Sequence, residues 1–443
     1  MIAEQRRSMR FLSWLGCLAA AVSIRSADAQ LSFESEPINY ETAPVSNRVA
    51  ALQQALDEGA VTLERDDEQG YLRSVLQQLQ VPVNSQMLVF SKTSFQQRRI
   101  TSRRPRALYF SDDVYIGWVQ RGDVIEVSAV DSHLGGVFYT LSQEESESPQ
   151  FVRDRGQCLT CHASSRTAGV PGHLVRSVYA DRSGQPFFGS GTFTTDQSSP
   201  FEERWGGWYV SGTHGRQRHM GNVALDKSVA PEELDREAGA NVTDLSLLLD
   251  TSPYLADTSD IVALMVLEHQ TQAQNLITRA AFETRSALHY DDIMNKALDR
   301  APEHRSDSAT RRIESSVEKL VDYLLFVDEF PLEDHVEGSS GFAEEFAAQG
   351  PFDGQGRSLR ELDLNHRLMK YPCSYLIYSD QFRSLPEPAL EYAYRRLYRV
   401  LTGAESDERY GHLTPSDRDA VLEILRETHP ALPDAWQVAE GGG

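Results

Sequence analysis

Cysteine is scarce in this chain: Cys17, Cys158, Cys161 and Cys373 are the only four among 443 residues. So few thiols cannot build a disulfide framework. A structural zinc site would want two more Cys or His at similar spacing, and no second C-x-x-C accompanies Cys158 and Cys161. Lysine is nearly missing as well. Lys92, Lys227, Lys296, Lys319 and Lys370 are the whole set, and arginine carries almost all the positive charge. Basic residues of both kinds are outnumbered, 43 against 65 acidic, for a net charge of −22. An acidic surface of that size repels nucleic acid and anionic lipid, and steers encounters with a basic partner. Beyond residue 24 no apolar run is long enough to cross a bilayer. Internal repeats are also absent.

What is present starts with an address. Arg6, Arg7 and Arg10 precede a short apolar run over 11–24, and Ala27-Asp28-Ala29 ends it as an A-x-A site. These are the three parts of a secretory signal, with cleavage expected after Ala29 and a mature start at Gln30. Cys17 sits after Trp14-Leu15-Gly16, a poor lipobox, so it reads as a small residue of the cleaved segment rather than a lipid anchor. Four arginines and two acids in 1–29 carry +2 together, so the processed chain is nearer −24. The expected location is periplasmic or secreted, with no transmembrane anchor.

Hydrophobic periodicity divides the rest. Helical spacing marks 47–58 and 70–79. Strand signals then crowd 87–90, 107–110, 114–119, 124–130 and 136–141, with turn signals between them, predicting an antiparallel sheet of about four or five strands. A further hairpin is expected over 174–194. After about residue 250 the pattern turns helical: a long helix from a Ser259 cap to about 289, then 307–330, 359–368, 387–402 and 415–427, with a loop over 333–356. The fold class is therefore α+β. An N-terminal half containing an antiparallel sheet is followed by an all-helical C-terminal half. The expected division is 1–29 signal, 30–250 α+β domain, 251–435 helical domain and 436–443 disordered tail.

The chemistry concentrates at Cys158-Leu159-Thr160-Cys161-His162. Two thiols three residues apart can add to the two vinyl groups of one porphyrin, and the adjacent imidazole can then bind the iron. A thioredoxin-type pair would want a strand before and a helix after, where Asp154-Arg155-Gly156 and a Ser/Gly/Pro-rich segment read as loop. A disulfide across two residues would close almost no loop. The motif resembles that of c-type cytochromes. The resemblance implies one covalent haem c on Cys158 and Cys161, with His162 as the proximal iron ligand. The mature chain beyond the motif is similar to a group of exported bacterial mono-haem proteins with cytochrome c domains, through ALYFSDDVYIGWV (107–119), CLTCHASSRTAGVPGHLVRSV (158–178), FEERWGGWYVSGTHGRQRHMGN (201–222) and YPCSYLIYS (371–379). It implies haem binding and electron transfer, and nothing about a substrate.

The sixth iron position is open to several residues. Met220 is the first candidate, because a thioether suits a haem that shuttles electrons. His219 and His214 share its glycine-rich loop and are the alternatives. His173 lies near the motif in sequence but reads as a loop histidine. Met265, His269, Gln272, Leu276, Arg279 and Glu283 share one face of the long helix, which would pack over the porphyrin with Arg279 near a propionate; the alternative is a plain Arg279–Glu283 ion pair. Trp205, Trp208 and Tyr209 are candidates for haem-wall or core. Cys373, among aromatic and aliphatic residues, reads as a buried thiol. The expected function is one-electron transfer with a redox partner protein that offers a basic docking face. The alternatives are a haem enzyme (peroxidase- or oxygenase-like) with an open distal site, favoured by the chain's size and the His/Arg-rich loop 213–219, and a haem-based redox or gas sensor.

Overall fold

In the computed structural model the described residues are 33–436, apart from 228, 229, 231, 232, 405 and 406. The expected signal at 1–29 lies outside them. Trp436, where the tail is expected to begin, is buried against Tyr394 and Tyr398.

Two helices, α1 (Arg48–Asp57) and α2 (Leu72–Gln78), precede a six-stranded antiparallel meander. Its strands are β1 (Met87–Val89), β2 (Arg106–Phe110), β3 (Val114–Val119), β4 (Val124–Asp131), β5 (Gly135–Ser142) and β6 (Phe151–Arg153), paired strictly in chain order. The count exceeds the expected four or five because three-residue β6, pairing Phe151 with Leu141, is too short to show alternation. Side chains alternate across the pleat. One face, with Tyr109, Ile116, Trp118, Ile125 and Val127, packs on Leu52, Leu72 and Val75 of α1 and α2. The register aligns Tyr115, Ser128 and Phe138 in a row across β3, β4 and β5 on the other face.

That row meets the next segment. A one-turn helix, α3 (Leu159–His162), is followed by the ribbon β7 (Val175–Val178) and β8 (Thr192–Thr195). Strand β9 (Gly212–Thr213) pairs with β10 (Glu337–Gly338), so the C-terminal half is helical except for this two-residue strand.

Helix α4 (Ile261–Ala297) runs 37 residues, roughly 55 Å at 1.5 Å per residue. Its cap is Asp260, not the expected Ser259: the Asp260 carboxylate accepts from Val262 N and Ala263 N, and also from Ser339 N and Ser340 N beside β10. Ser259 instead ties β1 to the 205–211 segment, accepting from Leu88 N and donating to Tyr209 O. From Ile261 to Thr271 every residue of α4 is buried. Around it lie α5 (Asp307–Leu324), α6 (Phe342–Ala347), α7 (Asp380–Arg383), α8 (Glu387–Leu401) and α9 (Pro415–Thr428). One apolar cluster holds Met87, Val175, Trp205 and Trp208 together with the α4, α5, α8 and α9 core, so it spans both sides of residue 250.

The helix expected over 359–368 is absent. Asp363 Oδ1 accepts from Asn365 N, Leu364 takes φ 60°, and Leu362 bridges back to Met369. An Asx turn has won over the apolar spacing. No helix among the described residues is long and apolar enough to cross a membrane.

Candidate functional site

The C-x-x-C-H residues form a single helical turn. Asp154 Oδ2 accepts from Gly156 N and Cys158 N, both at 2.9 Å, and fixes the backbone that leads into it. Cys161 N and His162 N then donate to Cys158 O, at 3.1 and 3.0 Å. The turn sets the two sulfurs and the imidazole along one short helical segment. Both thiols are free; Cys161 is exposed and Cys158 half-buried. Burial, with Asp154 and Glu126 nearby, pushes the Cys158 thiol up to about 12. A thiol-exchange nucleophile needs the opposite, a thiolate-favouring environment.

His162 is held in one orientation. Its Nδ1 donates to Gly172 O at 2.9 Å, and Gly172 N donates to His162 O at 2.8 Å, so the nine-residue loop between them is closed by a reciprocal pair of bonds. Burial keeps the ring neutral, its pKa held down at about 4. With Nδ1 carrying the proton, Nε2 keeps its lone pair, and it has no hydrogen-bond partner among the described residues. This is how an iron- or zinc-bound histidine is usually oriented: one ring N–H on a backbone carbonyl, the other nitrogen free to coordinate.

The sheet and α4 fix that loop from two sides. His173 rests on the Tyr115–Ser128–Phe138 row: its Nε2 meets Ser128 Oγ, and its ring lies 4.1 Å from Tyr115 and 5.6 Å from Phe138. The His162 ring lies 4.7 Å from Phe138 and 6.3 Å from His173. From α4, Asn275 accepts from His173 N at 3.0 Å and donates to His173 O at 2.7 Å. One turn on, Arg279 Nη1 donates to Ala168 O at 2.5 Å. Gly172 has no room for a side chain, since a Cβ there would run into the Asn275 amide.

The distal candidates stand in contacts of their own. Met220 is buried with Tyr179 and Leu234, and Ser177 Oγ lies 3.6 Å from its sulfur. His214 uses both nitrogens: Nδ1 donates to Gln217 O at 2.7 Å and Nε2 accepts from Asn241 N at 2.9 Å. His219 is buried against Trp205 and His214, its Nδ1 accepting from Gly221 N at 3.0 Å. The structure brings these three together in one loop, and His173, not they, beside His162.

The polar face of α4 splits. His269 sits between Gln197 Oε1 and Ser374 Oγ, at 2.5 and 2.7 Å, stacked on Phe326: a satisfied core histidine. Met265 is core too. Arg279 and Glu283 form the i,i+4 ion pair at 2.7 Å, and Arg279 braces the motif loop from behind. Trp205 and Trp208 belong to the main apolar cluster, and Tyr209 to the cluster beneath the sheet. Cys373 is fully buried, and burial pushes its thiol up to about 12, as suits an inert apolar filler.

No family model, curated protein or solved structure matches the chain. The chemistry must be read from the residues alone. Among the described residues no group of three or more His, Cys, Asp or Glu side chains is placed to hold a metal ion. Cys158, Cys161 and His162 are the side chains of the turn that could hold a cofactor.

Sequence reasoning missed Gly172, Asn275, Asp154 and Phe138. Only Gly172, inside the Gly/Pro-rich stretch after the motif, carried a local signal.

Proposed function

We propose that the chain is an exported mono-haem c-type cytochrome acting in one-electron transfer. The observation that supports it most is the clamp of His162 on Gly172, standing next to two unpaired thiols on one helical turn. In this reading Cys158 and Cys161 hold haem c through thioether bonds, and the bound haem supplies a one-electron iron couple. The residues of the chain do the remaining work. Gly172 O fixes the tautomer of His162 and aims Nε2; Phe138 and His173 set the plane of the ring. The acidic surface, −22 overall, suits a redox partner with a basic docking face. The signal motif at 1–29 supports a periplasmic or secreted location.

A second reading, a haem enzyme or sensor with an open distal site, is favoured by the engagement of Met220, His214 and His219 elsewhere. Ligand binding separates the two. Electron transfer with both axial positions filled expects a low-spin ferric protein that refuses cyanide and a ferrous protein that refuses carbon monoxide. Ready binding of either ligand would overturn that reading in favour of the second. If Met220 fills the position, Met220→Ala opens it to carbon monoxide.

A further inference from the structure

Acidic residues outnumber basic ones 65 to 43 in this chain, yet none falls from 69 to 111, which carries seven basic ones. Five of these, Lys92, Arg98, Arg99, Arg103 and Arg104, sit on the loop between β1 and β2. That loop is pinned along its length. Gln96, 8% exposed, accepts from Asp123 N at 2.8 Å and donates to Val124 O at 3.0 Å. Tyr209 Oη donates to Ser102 O at 2.6 Å, and Tyr254 Oη to Pro105 O at 2.9 Å. Thr101 and Arg104 exchange backbone bonds of 3.1 and 2.9 Å, so the residues between them form a tight turn.

The loop gathers two further turns beside its own. Gln96 holds the turn between β3 and β4, which carries Arg121. Lys92 N donates to Gly184 O at 2.7 Å and Ser102 N to Arg182 O at 3.1 Å, which brings in the turn at 181–185. Arg98, Arg99, Arg103, Arg104, Arg121 and Arg182 are all exposed on these turns. Arg99 pairs with Asp123 at 2.5 Å and Arg182 with Asp226 at 2.7 Å. The other four make no ion pair or side-chain hydrogen bond among the described residues. Phe95, 59% exposed, stands three positions before Arg98. Exposed arginines are ordinary on a surface; what sets this face apart is how few acids reach it in so acidic a chain.

We propose that this face docks the protein on an anionic lipid bilayer, its unpaired arginines on headgroup phosphates and Phe95 in the interfacial layer. Turns that expose cations around one aromatic ring match a flat anionic surface, and the guanidinium fork pairs with phosphate oxygens at two points. The net charge of −22 repels such a surface at long range. Physiological salt screens that repulsion beyond about 8 Å, so the residues in contact decide. The docking does not depend on what the C-x-x-C-H turn holds.

Co-sedimentation of the purified mature protein with vesicles tests the proposal. Binding is expected to vesicles of equal parts phosphatidylglycerol and phosphatidylcholine at about 0.05 M salt, and its loss at about 0.5 M. Vesicles of phosphatidylcholine alone are expected to bind at least about tenfold more weakly. Arg98→Gln, Arg103→Gln and Arg104→Gln together are expected to weaken binding at least about tenfold, at roughly fivefold per charge. The same change of charge elsewhere, Arg300→Gln with Arg305→Gln and Arg311→Gln, is expected to leave it within about twofold. No sedimentation with the anionic vesicles at low salt, equal binding to both lipids, or equal losses in the two triple variants would overturn the proposal. So would binding of poly-glutamate in place of vesicles, which assigns the face to an acidic protein. The lipid and salt comparisons use the unmodified chain, so they stand even where a variant fails to fold.

Discussion

At the scale of single residues, a few polar contacts hold one imidazole and its loop in place. Asn275 satisfies both backbone groups of His173, and Asn275→Ala would leave a buried N–H and C=O unpaired. The expected cost is about 1–3 kcal/mol, read as a lowered denaturation midpoint. Gly172→Ala forces the Asn275 amide out of its place and is expected to cost a similar amount, roughly 1–3 kcal/mol, by overpacking. Wild-type stability in both variants would remove the α4 clamp from the account. The motif was legible in the sequence because Cys158, Cys161 and His162 are adjacent and their chemistry is local. Asn275 was not: it lies more than a hundred residues away, and polar residues on a helix look alike until their partner is known. For the same reason the sequence leaves Arg279 between a propionate and an ion pair with Glu283; the structure shows the pair, and the contact of Nη1 with Ala168 O had no local signal.

At the scale of elements, the strands of the meander were legible from alternation and turn chemistry, and α5, α8 and α9 from their apolar stripes. Segments shorter than a turn or two, β6, α6 and α7, carry too few residues for either period to show. The failed helix over 359–368 has a consequence for pH. The turn that replaces it places Leu368 N on Glu329 Oε1 at 2.7 Å, and burial pushes the Glu329 carboxyl up to about 7. A carboxyl raised in the folded state holds its proton more tightly there than when unfolded. Its stabilisation is full below the unfolded value, near 4.5, and is lost as pH rises through about 7. Denaturant titrations of wild type and Glu329→Gln from pH 4 to 8 are therefore expected to diverge, wild type losing up to about 1.4 kcal/mol per pH unit more than the variant across that window. Parallel curves would contradict the assignment. Glu268, buried beside Arg204 at 3.0 Å, is raised in the same direction and adds to the background slope in both proteins.

At the scale of the whole molecule, composition announced two halves, and the packing joins them. Met87 and Val89 of β1, Val175 of β7, Trp205 and Trp208 are buried in one apolar cluster with α4 and its neighbours. A fragment ending at residue 250 would expose that surface, so it is expected to lack cooperative thermal unfolding, where the mature chain shows one. A cooperative, protease-resistant fragment would mean that the shared cluster is dispensable. The same packing places the motif loop between sheet and helix, which neither half could do alone. The central claim is that Cys158 and Cys161 carry a porphyrin with His162 on its iron, and the most direct measurement is made on unfolded protein. After expression with c-type maturation machinery, chain denatured in acid–organic solvent is expected to keep its pigment and its haem absorption, and Cys158→Ser with Cys161→Ser to lose both. Pigment that separates from the denatured wild-type chain, or a mass equal to the bare processed polypeptide, would contradict it.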